Sequence, residues 1–306
     1  MDVENIDNTL LDEIHTHAVS ITREAGRILL EHLGKSLEVQ FKGEKKRDPV
    51  TIADAHSNEY LTKAIREKFP LHTVLSEEGE EQHQSDSPFI WVLDPLDGTL
   101  NFMNSLPLFA VSVGVLWNRQ PVVGSIFVPV SHQATAGVYH ACLLQGAYLD
   151  DEKIEMTIEP EGRPLSAVPP QLASQFHFSV RGLRESYEAR SLGSIALECA
   201  YTAGGIFKCT MFGMPKIWDV AAGVMLVKEA GGIALMKGKG RRDWLPLERF
   251  EPGPDDGRKE MERLRGWSYP VILGMQDIAE KARQGFRDSR TPFSWMATRL
   301  KTRKNN

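Results

Sequence analysis

The sequence of 306 residues is short of cysteine, of long apolar runs and of excess positive charge. Its three cysteines (Cys142, Cys199 and Cys209) show no CxxC or other metal-binding spacing, which argues against a disulfide framework or a zinc cluster and predicts reduced, buried thiols. No apolar run reaches the roughly 20 residues that cross a bilayer, and the acidic N-terminal segment lacks the features of a secretion signal. We therefore expect a soluble, cytoplasmic protein with no membrane partner.

The charge balance argues against a nucleic-acid partner. The net charge is −5, with 42% hydrophobic and 25% charged residues, which is ordinary for a globular protein. Only the end, "RLKTRKNN" (299–306), is locally basic, and a solvated chain end is the simpler interpretation of it.

Apolar periodicity indicates the elements of the first half. A stripe at helical spacing predicts a helix over 8–33 that ends at Gly34, and a second helix follows "DPVTIAD" and extends to about Phe69. Between 108 and 140, β-branched runs broken by glycine predict a mainly antiparallel sheet.

The second half alternates strands with helices, and helices are expected over 194–203 and from about Trp218 to Ala230. Residues 237–268, polar and rich in proline and glycine, are expected to form an exposed loop. The pattern is typical of a layered α/β protein rather than a bundle or a sandwich.

We treat 1–306 as a single catalytic unit. It comprises an N-terminal half (8–150), a C-terminal α/β half (165–290) and a tail (291–306).

Two aspartates follow a strand that should be buried. After the apolar run Phe89–Leu93, Asp94 is expected at the strand tip and Asp97 one tight turn later. Carboxylates this close repel unless a cation neutralises them. Mg²⁺ prefers such oxygen ligands, and the absence of His or Cys between the two acids argues against zinc.

Gly98 and Thr99 come directly after these acids, and "TLNFMNS" could begin a helix whose N–H groups bind phosphate. The alternative is that "DPLDG" is only a β-turn capped by aspartate. The pentapeptide alone leaves both interpretations open.

Three separated motifs resemble those of the inositol monophosphatase family, which belongs to the lithium-sensitive, magnesium-dependent phosphatase superfamily that includes fructose-1,6-bisphosphatase. "WVLDPLDGTLNF" (91–102) is similar to the first family signature, and "WDVAAGVMLVKEAGG" (218–232) is similar to the second. "DPVTIAD" (48–54) followed by "SEEG" (76–79) matches the upstream acidic segments. The resemblance covers roughly residues 10 to 286 and implies a layered αβαβα sandwich.

The resemblance also implies a site for two to three Mg²⁺ ions. Their ligands would be Glu77, Asp94, the carbonyl of Leu96, Asp97 and Asp219, with Asp94 bridging two ions and Glu77 helping to place a third through waters. No phospho-enzyme is implied, because the sequence has neither a DxDx(T/V) nucleophile nor a CxxxxxR loop.

Catalytic and substrate roles follow from the same resemblance. Thr99 with Asp54 would orient the attacking water, and Glu77 would act with them. The phosphate would lie against Asp97, Gly98 and Thr99, and "RSLGSIALECA" (190–200) would place Gly193 and Ser194 against substrate hydroxyls. From the residues alone, Asp54, Asp219 and Ser194 could equally be helix caps.

The residue seven positions before Asp219 is Phe212, where inositol-specific relatives carry an acid, so strict inositol specificity is not implied. Phe212, Met214 and Lys216 instead suggest an apolar wall with one cation, and Lys42 is a weak match to the phosphate-side lysine of the family. The expected function is hydrolysis of a sugar or polyol phosphate, inositol monophosphate-like, by a homodimer. The alternatives are another small phosphomonoester (fructose 1,6-bisphosphate, histidinol phosphate or a 3′-phosphonucleotide) and a non-catalytic regulatory role.

Overall fold

The computed structural model describes most of the chain, in eight ranges: 6–35, 39–42, 48–79, 87–156, 164–168, 176–178, 188–238 and 243–288. The tail 291–306 and the side chain of Lys42 lie outside what is described. In the described ranges, no helix combines the length and the apolarity that crossing a membrane requires.

The first helix, α1 (Asn8–His32), shows why the predicted stripe forms an outer helix. The Asp7 side chain accepts the N–H of Thr9 at 2.9 Å and so caps the helix, and Gly34 follows its end with φ +75°. Burial of each large apolar side chain of the stripe contributes about 1.5–3 kcal/mol. The buried stripe residues are Leu11, Ile14, Ala18, Ile21, Ala25 and Leu29. The prediction for 8–33 is confirmed.

A hairpin precedes the second outer helix. Strands β1 (Val39–Lys42) and β2 (Asp48–Thr51) pair antiparallel, and α2 (Ile52–Lys68) begins where β2 ends. Helix α2 contacts α1 and reaches the next sheet. The N-terminal end of α2 therefore lies beside that sheet.

The first large sheet has seven strands among the described residues, in the spatial order of the chain: β3 (Thr73–Ser76), β4 (Phe89–Asp97), β5 (Ala110–Trp117), β6 (Gln120–Val128), β7 (Gly137–Cys142), β8 (Gly146–Leu149) and β9 (Glu152–Ile154). Only the β3–β4 pair is parallel. The antiparallel sheet predicted over 108–140 is confirmed.

Both faces of this sheet are covered, which explains the continuous apolar run in β4. Trp91 and Leu93 pack in the cluster that contains α1 and α2. Ile90 and Val92, which alternate with them, pack in the cluster on the opposite face.

A middle layer of helices covers that opposite face. In this layer α4 (Ile195–Ala203) packs against α5 (Ile217–Glu229). A short helix, α3 (Thr99–Met103), follows β4 but contacts β2, and its Phe102 packs in the cluster of α1 and α2. The approach of α5 to the sheet is close: a Cβ at Gly124 would lie 2.4 Å from the carbonyl oxygen of Ala222. Glycine is therefore required where α5 crosses the sheet.

A second sheet lies on the far side of α4 and α5, with spatial order β12 (Glu188–Arg190), β10 (Leu165–Ala167), β13 (Phe207–Phe212), β16 (Val271–Gly274), β14 (Ile233–Lys237) and β15 (Trp244–Pro246). Helix α7 (Gln276–Gly285) contacts this sheet. A separate pair joins β11 (Phe176–Phe178) to β17 (Phe286–Asp288). The layers run helix, sheet, helix, sheet, helix, so the αβαβα sandwich is confirmed.

The exposed loop expected over 237–268 is wrong for the part of it that is described. That segment contains β15 and a helix, α6 (Glu260–Arg265), and it contributes buried apolar side chains. They are Trp244, Leu247, Phe250, Met261, Leu264 and Trp267. Many charged residues lie between these buried side chains, so the apolar pattern was not recognisable in the sequence.

Candidate active site

The pair of aspartates lies within β4 rather than after its tip, which corrects the sequence expectation. Asp94 pairs with Ser112 and Asp97 with Ala110 of β5, and the register shifts between the two aspartates. The Ser57 hydroxyl donates to the Pro95 carbonyl at 2.9 Å and holds this irregularity. A bulge therefore replaces the expected turn, and it leaves Asp94 buried at 1% exposure.

Asp94 is the centre of an acidic cluster. Burial raises its pKa well above the ordinary value, and the charges of Glu77, Asp97, Asp219 and Asp54 raise it further, in that order. Its Oδ1 accepts only the N–H of Leu96, at 3.2 Å, among the bonds described for it. Five predicted site carboxylates from four elements or loops thus act on one another.

Asp97 joins this cluster to the second half of the chain. Its Oδ2 accepts the Ser194 hydroxyl at 2.5 Å and the Ala196 N–H at 2.6 Å. Burial raises the pKa of Asp97 to about 6, while the bonds from Ser194 and from backbone N–H groups lower it. The position suits a carboxylate that is ionised close to neutral pH.

Ser194 also caps α4, accepting the Leu197 N–H at 3.3 Å. The helix cap, one of the two roles that the sequence left open for Ser194, is therefore present, and the contact with substrate hydroxyls stays a prediction.

Asp219 shows the same dual placement in the first turn of α5. Its Oδ2 accepts the Lys216 N–H at 2.7 Å, so it caps the helix. Burial raises its pKa well above the ordinary value, and Asp97 and Glu77 add to that effect. The Asp219 carboxylate therefore belongs to the same acidic cluster as Asp94, whose pKa it also raises.

Glu77 lies just after β3, in a loop held to the neighbouring strand. Its backbone N–H donates to the Leu93 carbonyl at 3.1 Å. Among the neighbouring charges, that of Glu77 raises the pKa of Asp94 the most, and it also raises the pKa of Asp219. The segment 77–79 thus presents an acid to the cluster from outside the sheet.

The predicted Asp54–Thr99 pair has other hydrogen-bond partners. Asp54 Oδ2 accepts the N–H and the hydroxyl of Thr51, at 2.9 and 3.0 Å, which caps α2. The Thr99 hydroxyl donates to the Leu96 carbonyl at 3.1 Å, the same carbonyl that was predicted to bind metal. Asp54 still acts on Asp94 electrostatically, so both residues border the cluster.

Gly98 and Gly193 line the same corner of the site. Gly98 has φ +87°, and a Cβ there would lie 3.0 Å from Leu108 O and from Ser194 Cβ. Gly193 has φ +78°, and its Cβ would meet the Asn101 amide at 3.1 Å. Both positions therefore require glycine, because no other residue fits both the conformation and the space.

The donors present fit Mg²⁺. In the described ranges, no group of three or more His, Cys, Asp or Glu side chains is arranged to hold a metal ion by itself. Mg²⁺ is commonly held by one or two carboxylates with waters and phosphate oxygens completing the sphere, so an open acidic site suits it. A buried Asp94 surrounded by further acids is the kind of cluster that a hard divalent cation neutralises.

The structure does not place all three residues of the expected apolar substrate wall at the surface. Phe212 is 1% exposed, packed in the core on β13, whereas Met214 is 65% exposed. Lys216 is exposed as well. Of the expected apolar wall, Met214 rather than Phe212 has surface for a ligand.

Two residues at the site were missed from the sequence. Glu198 lies buried under the Gly193 corner and accepts the Leu192 N–H at 2.6 Å, and burial raises its pKa to about 7. Its signal was a charged residue inside the small, apolar stretch "IALECA". Arg265 donates to the backbone of the Glu77 loop, a contact 188 residues apart that no local pattern indicates.

Comparison with known proteins agrees with this architecture. The family model described as "Inositol monophosphatase family" matches residues 10–258. Protein qutG of Emericella nidulans is 33% identical over 265 residues, covering 74% of this chain and 79% of that protein. The fructose-1,6-bisphosphatase/inositol-1-monophosphatase of Aquifex aeolicus is 31% identical over 222 residues, covering 70% and 82%. The crystal structure of the extragenic suppressor protein suhB from Bartonella henselae superposes with a TM-score of 0.69 at 25% identity, over 90% of this chain and 99% of that one.

Proposed function

The chain belongs to the inositol monophosphatase family, and on that premise we propose that it is a Mg²⁺-dependent phosphomonoesterase. Members of the family act on small phosphorylated sugars or polyols. The observation that carries the proposal is the burial of Asp94 beside four other carboxylates. Such a cluster is unfavourable in a folded protein unless a cation binds there, and a bound divalent cation can catalyse phosphate ester hydrolysis.

Five groups would hold the metal: Glu77, Asp94, the Leu96 carbonyl, Asp97 and Asp219. When bound, Mg²⁺ would neutralise the charge that develops on the phosphoryl and leaving-group oxygens. Two to three ions are proposed, as the resemblance implies.

The groups around Gly98 and Gly193 would bind and orient the substrate. Gly98 and Thr99 would lie against the phosphate, as the resemblance implies, and the lack of a side chain at Gly98 lets Leu108 and Ser194 pack closely beside them. The Thr99 hydroxyl would orient the attacking water and the Asp54 carboxylate would accept the water proton, each giving up for this the bond it makes in the structure, to the Leu96 carbonyl and to Thr51. Water oxygen bonds to phosphorus, the ester P–O bond breaks, and the alcohol leaves with a proton, so that the products are the alcohol and inorganic phosphate.

We propose a sugar or polyol monophosphate, inositol monophosphate-like, as the substrate. The family resemblance places Gly193 and Ser194 beside the substrate, and Ser194 is bonded to the proposed metal ligand Asp97, so it lies next to the acidic cluster. The buried Phe212 supplies no acceptor for a ring hydroxyl, so a polyol other than inositol fits equally. The name of the Aquifex aeolicus relative makes fructose 1,6-bisphosphate the first alternative to test, followed by histidinol phosphate and a 3′-phosphonucleotide.

The second function to test is regulation without turnover, since the solved relative from Bartonella henselae is named for extragenic suppression rather than for an enzymatic activity. The presence of acids at all four ligand positions argues against this function. Burying charged groups destabilises a fold, and a protein without a catalytic metal would gain nothing from it.

A phosphate-release screen tests the proposal. The purified chain is assayed against inositol monophosphate, fructose 1,6-bisphosphate, histidinol phosphate and a 3′-phosphonucleotide, with Mg²⁺ and with EDTA. We expect Mg²⁺-dependent release from at least one of them. Absence of release across a broad phosphomonoester panel, with Mg²⁺ present and the protein folded, would favour the regulatory function. The homodimer stays a prediction for light scattering to test.

A further inference from the structure

Arg265, the last residue of α6, forms a cluster of contacts that the catalytic scheme does not use. One of its Nη atoms donates to the Ser76 carbonyl at 2.7 Å and to the Gly79 carbonyl at 3.1 Å. The other donates to the Glu77 carbonyl at 2.7 Å. One guanidinium therefore binds three carbonyls of the four-residue segment 76–79, which carries a proposed metal ligand.

The same side chain reaches the second signature. Its Cζ lies 5.2 Å from the centroid of the Trp218 ring, and Trp218 immediately precedes Asp219. The Trp218 carbonyl in turn accepts the hydroxyl of Ser112, the β5 partner of Asp94. Arg265 thus contacts both the segment that carries Glu77 and the side chain of the residue before Asp219.

The base of this side chain is fixed. Met261 and Leu264 of α6 are buried, and Trp267 packs against Phe250 with a centroid distance of 4.9 Å. The Arg119 guanidinium donates to Glu260 at the start of α6, at 3.1 Å. Because α6 is fixed by these contacts, the Arg265 side chain can restrain the position of the Glu77 loop rather than move with it.

We infer that Arg265 is a positioning residue for the metal site, holding the Glu77 loop and the start of α5 in the register that lets Glu77 and Asp219 serve one cation cluster. This inference rests on the proposed function. The planar fork of arginine matches several carbonyls and stacks on an aromatic ring at once, which a lysine ammonium cannot do. Groups that orient metal ligands typically change metal affinity by about 10- to 100-fold when removed.

The matched variants are Arg265→Gln and Arg263→Gln. Arg263 lies on the same helix, and its guanidinium binds the Gly253 carbonyl at 3.2 Å, away from the acidic cluster. Mg²⁺ affinity is measured by calorimetry on the full chain, and kcat is measured against Mg²⁺ concentration. Thermal melting in EDTA reports folding.

We expect Arg265→Gln to weaken Mg²⁺ binding by at least about tenfold, with kcat largely restored at saturating Mg²⁺, and Arg263→Gln to bind like wild type. Arg265→Lys should lie between them, and it supplies the test if Arg265→Gln does not fold. Equal Mg²⁺ affinity in the Arg265 and Arg263 variants would overturn the inference, as would a loss of kcat that excess Mg²⁺ does not restore. Wild type that neither binds Mg²⁺ nor releases phosphate would instead overturn the proposed function, and this inference with it.

Discussion

The Ser194 hydroxyl donates to Asp97 Oδ2 at 2.5 Å, joining residues 97 positions apart. One belongs to a bulged strand of the first sheet and the other caps a helix of the middle layer. The site is therefore built where the two parts of the fold meet, and its geometry depends on both.

The two proposed ligands Asp97 and Asp219 give the most direct test of the metal scheme. Changing either to Asn keeps its shape but removes the charge that a cation requires, so we expect kcat for phosphate release to fall by several orders of magnitude. Asp256→Asn is the control, because Asp256 is bonded to Arg258 at the surface. Near wild-type turnover in Asp97→Asn or Asp219→Asn would exclude the two-metal scheme.

Ser194→Ala removes two interactions at once. Loss of the cap on Leu197 should cost roughly 1 kcal/mol of unfolding free energy. Loss of the bond to Asp97 removes the largest influence that lowers the pKa of that acid. If the reaction needs ionised Asp97, the acid limb of the pH–rate profile moves to higher pH.

Ser194→Thr, which keeps the hydroxyl, is the matched control for that change. An acid limb that stays in place in Ser194→Ala would show that Asp97 does not control it.

The sequence indicated Asp94 and Asp97 because they follow an apolar run, and the family resemblance added Glu77, Asp54 and Asp219 to them. For Asp97 and Asp219 the residue type and its boundary position are local properties. The bulge in β4 was not predictable, because it arises from pairing with β5 rather than from "DPLD" itself. The role of Arg265 could not be predicted either, because its contacts with 76–79 depend on how a distant, highly charged segment packs against the site.

Glu198 should make stability depend on pH. Burial raises the pKa of Glu198 in the folded protein to about 7 from an ordinary value of 4.5, so between these pH values the native state holds a proton that the unfolded state has lost. Stability therefore falls as pH rises from about 4.5 to about 7, by something on the order of 3 kcal/mol for this group.

Glu198→Gln should flatten that dependence, since the amide still accepts from Leu192 but has no proton to lose. Urea unfolding in EDTA at pH 5 and pH 8 measures it, with the exposed Glu248→Gln as control. The same loss of stability between pH 5 and 8 in Glu198→Gln and wild type would contradict this prediction.

Lithium should inhibit phosphate release. A small monovalent cation that competes for an open carboxylate site would occupy it without providing the charge of Mg²⁺. We expect inhibition at millimolar Li⁺, with Na⁺ at equal ionic strength as the control. Insensitivity to Li⁺ would contradict the metal assignment while leaving the fold untouched.

Gly124→Ala tests how closely α5, and with it Asp219, must approach the first sheet. The added methyl carbon would lie 2.4 Å from the Ala222 carbonyl oxygen, a backbone atom that can move only if the helix moves. We expect a loss of about 1–3 kcal/mol or more in unfolding free energy, as for overpacked cores. The helix shift should also lower kcat at saturating Mg²⁺, because Asp219 would be displaced from Asp94 and Asp97.

Gly253→Ala is the control, since a Cβ there meets nothing within 4 Å. If Gly124→Ala were destabilised yet kept full kcat, the position of α5 would not be what aligns the acidic cluster.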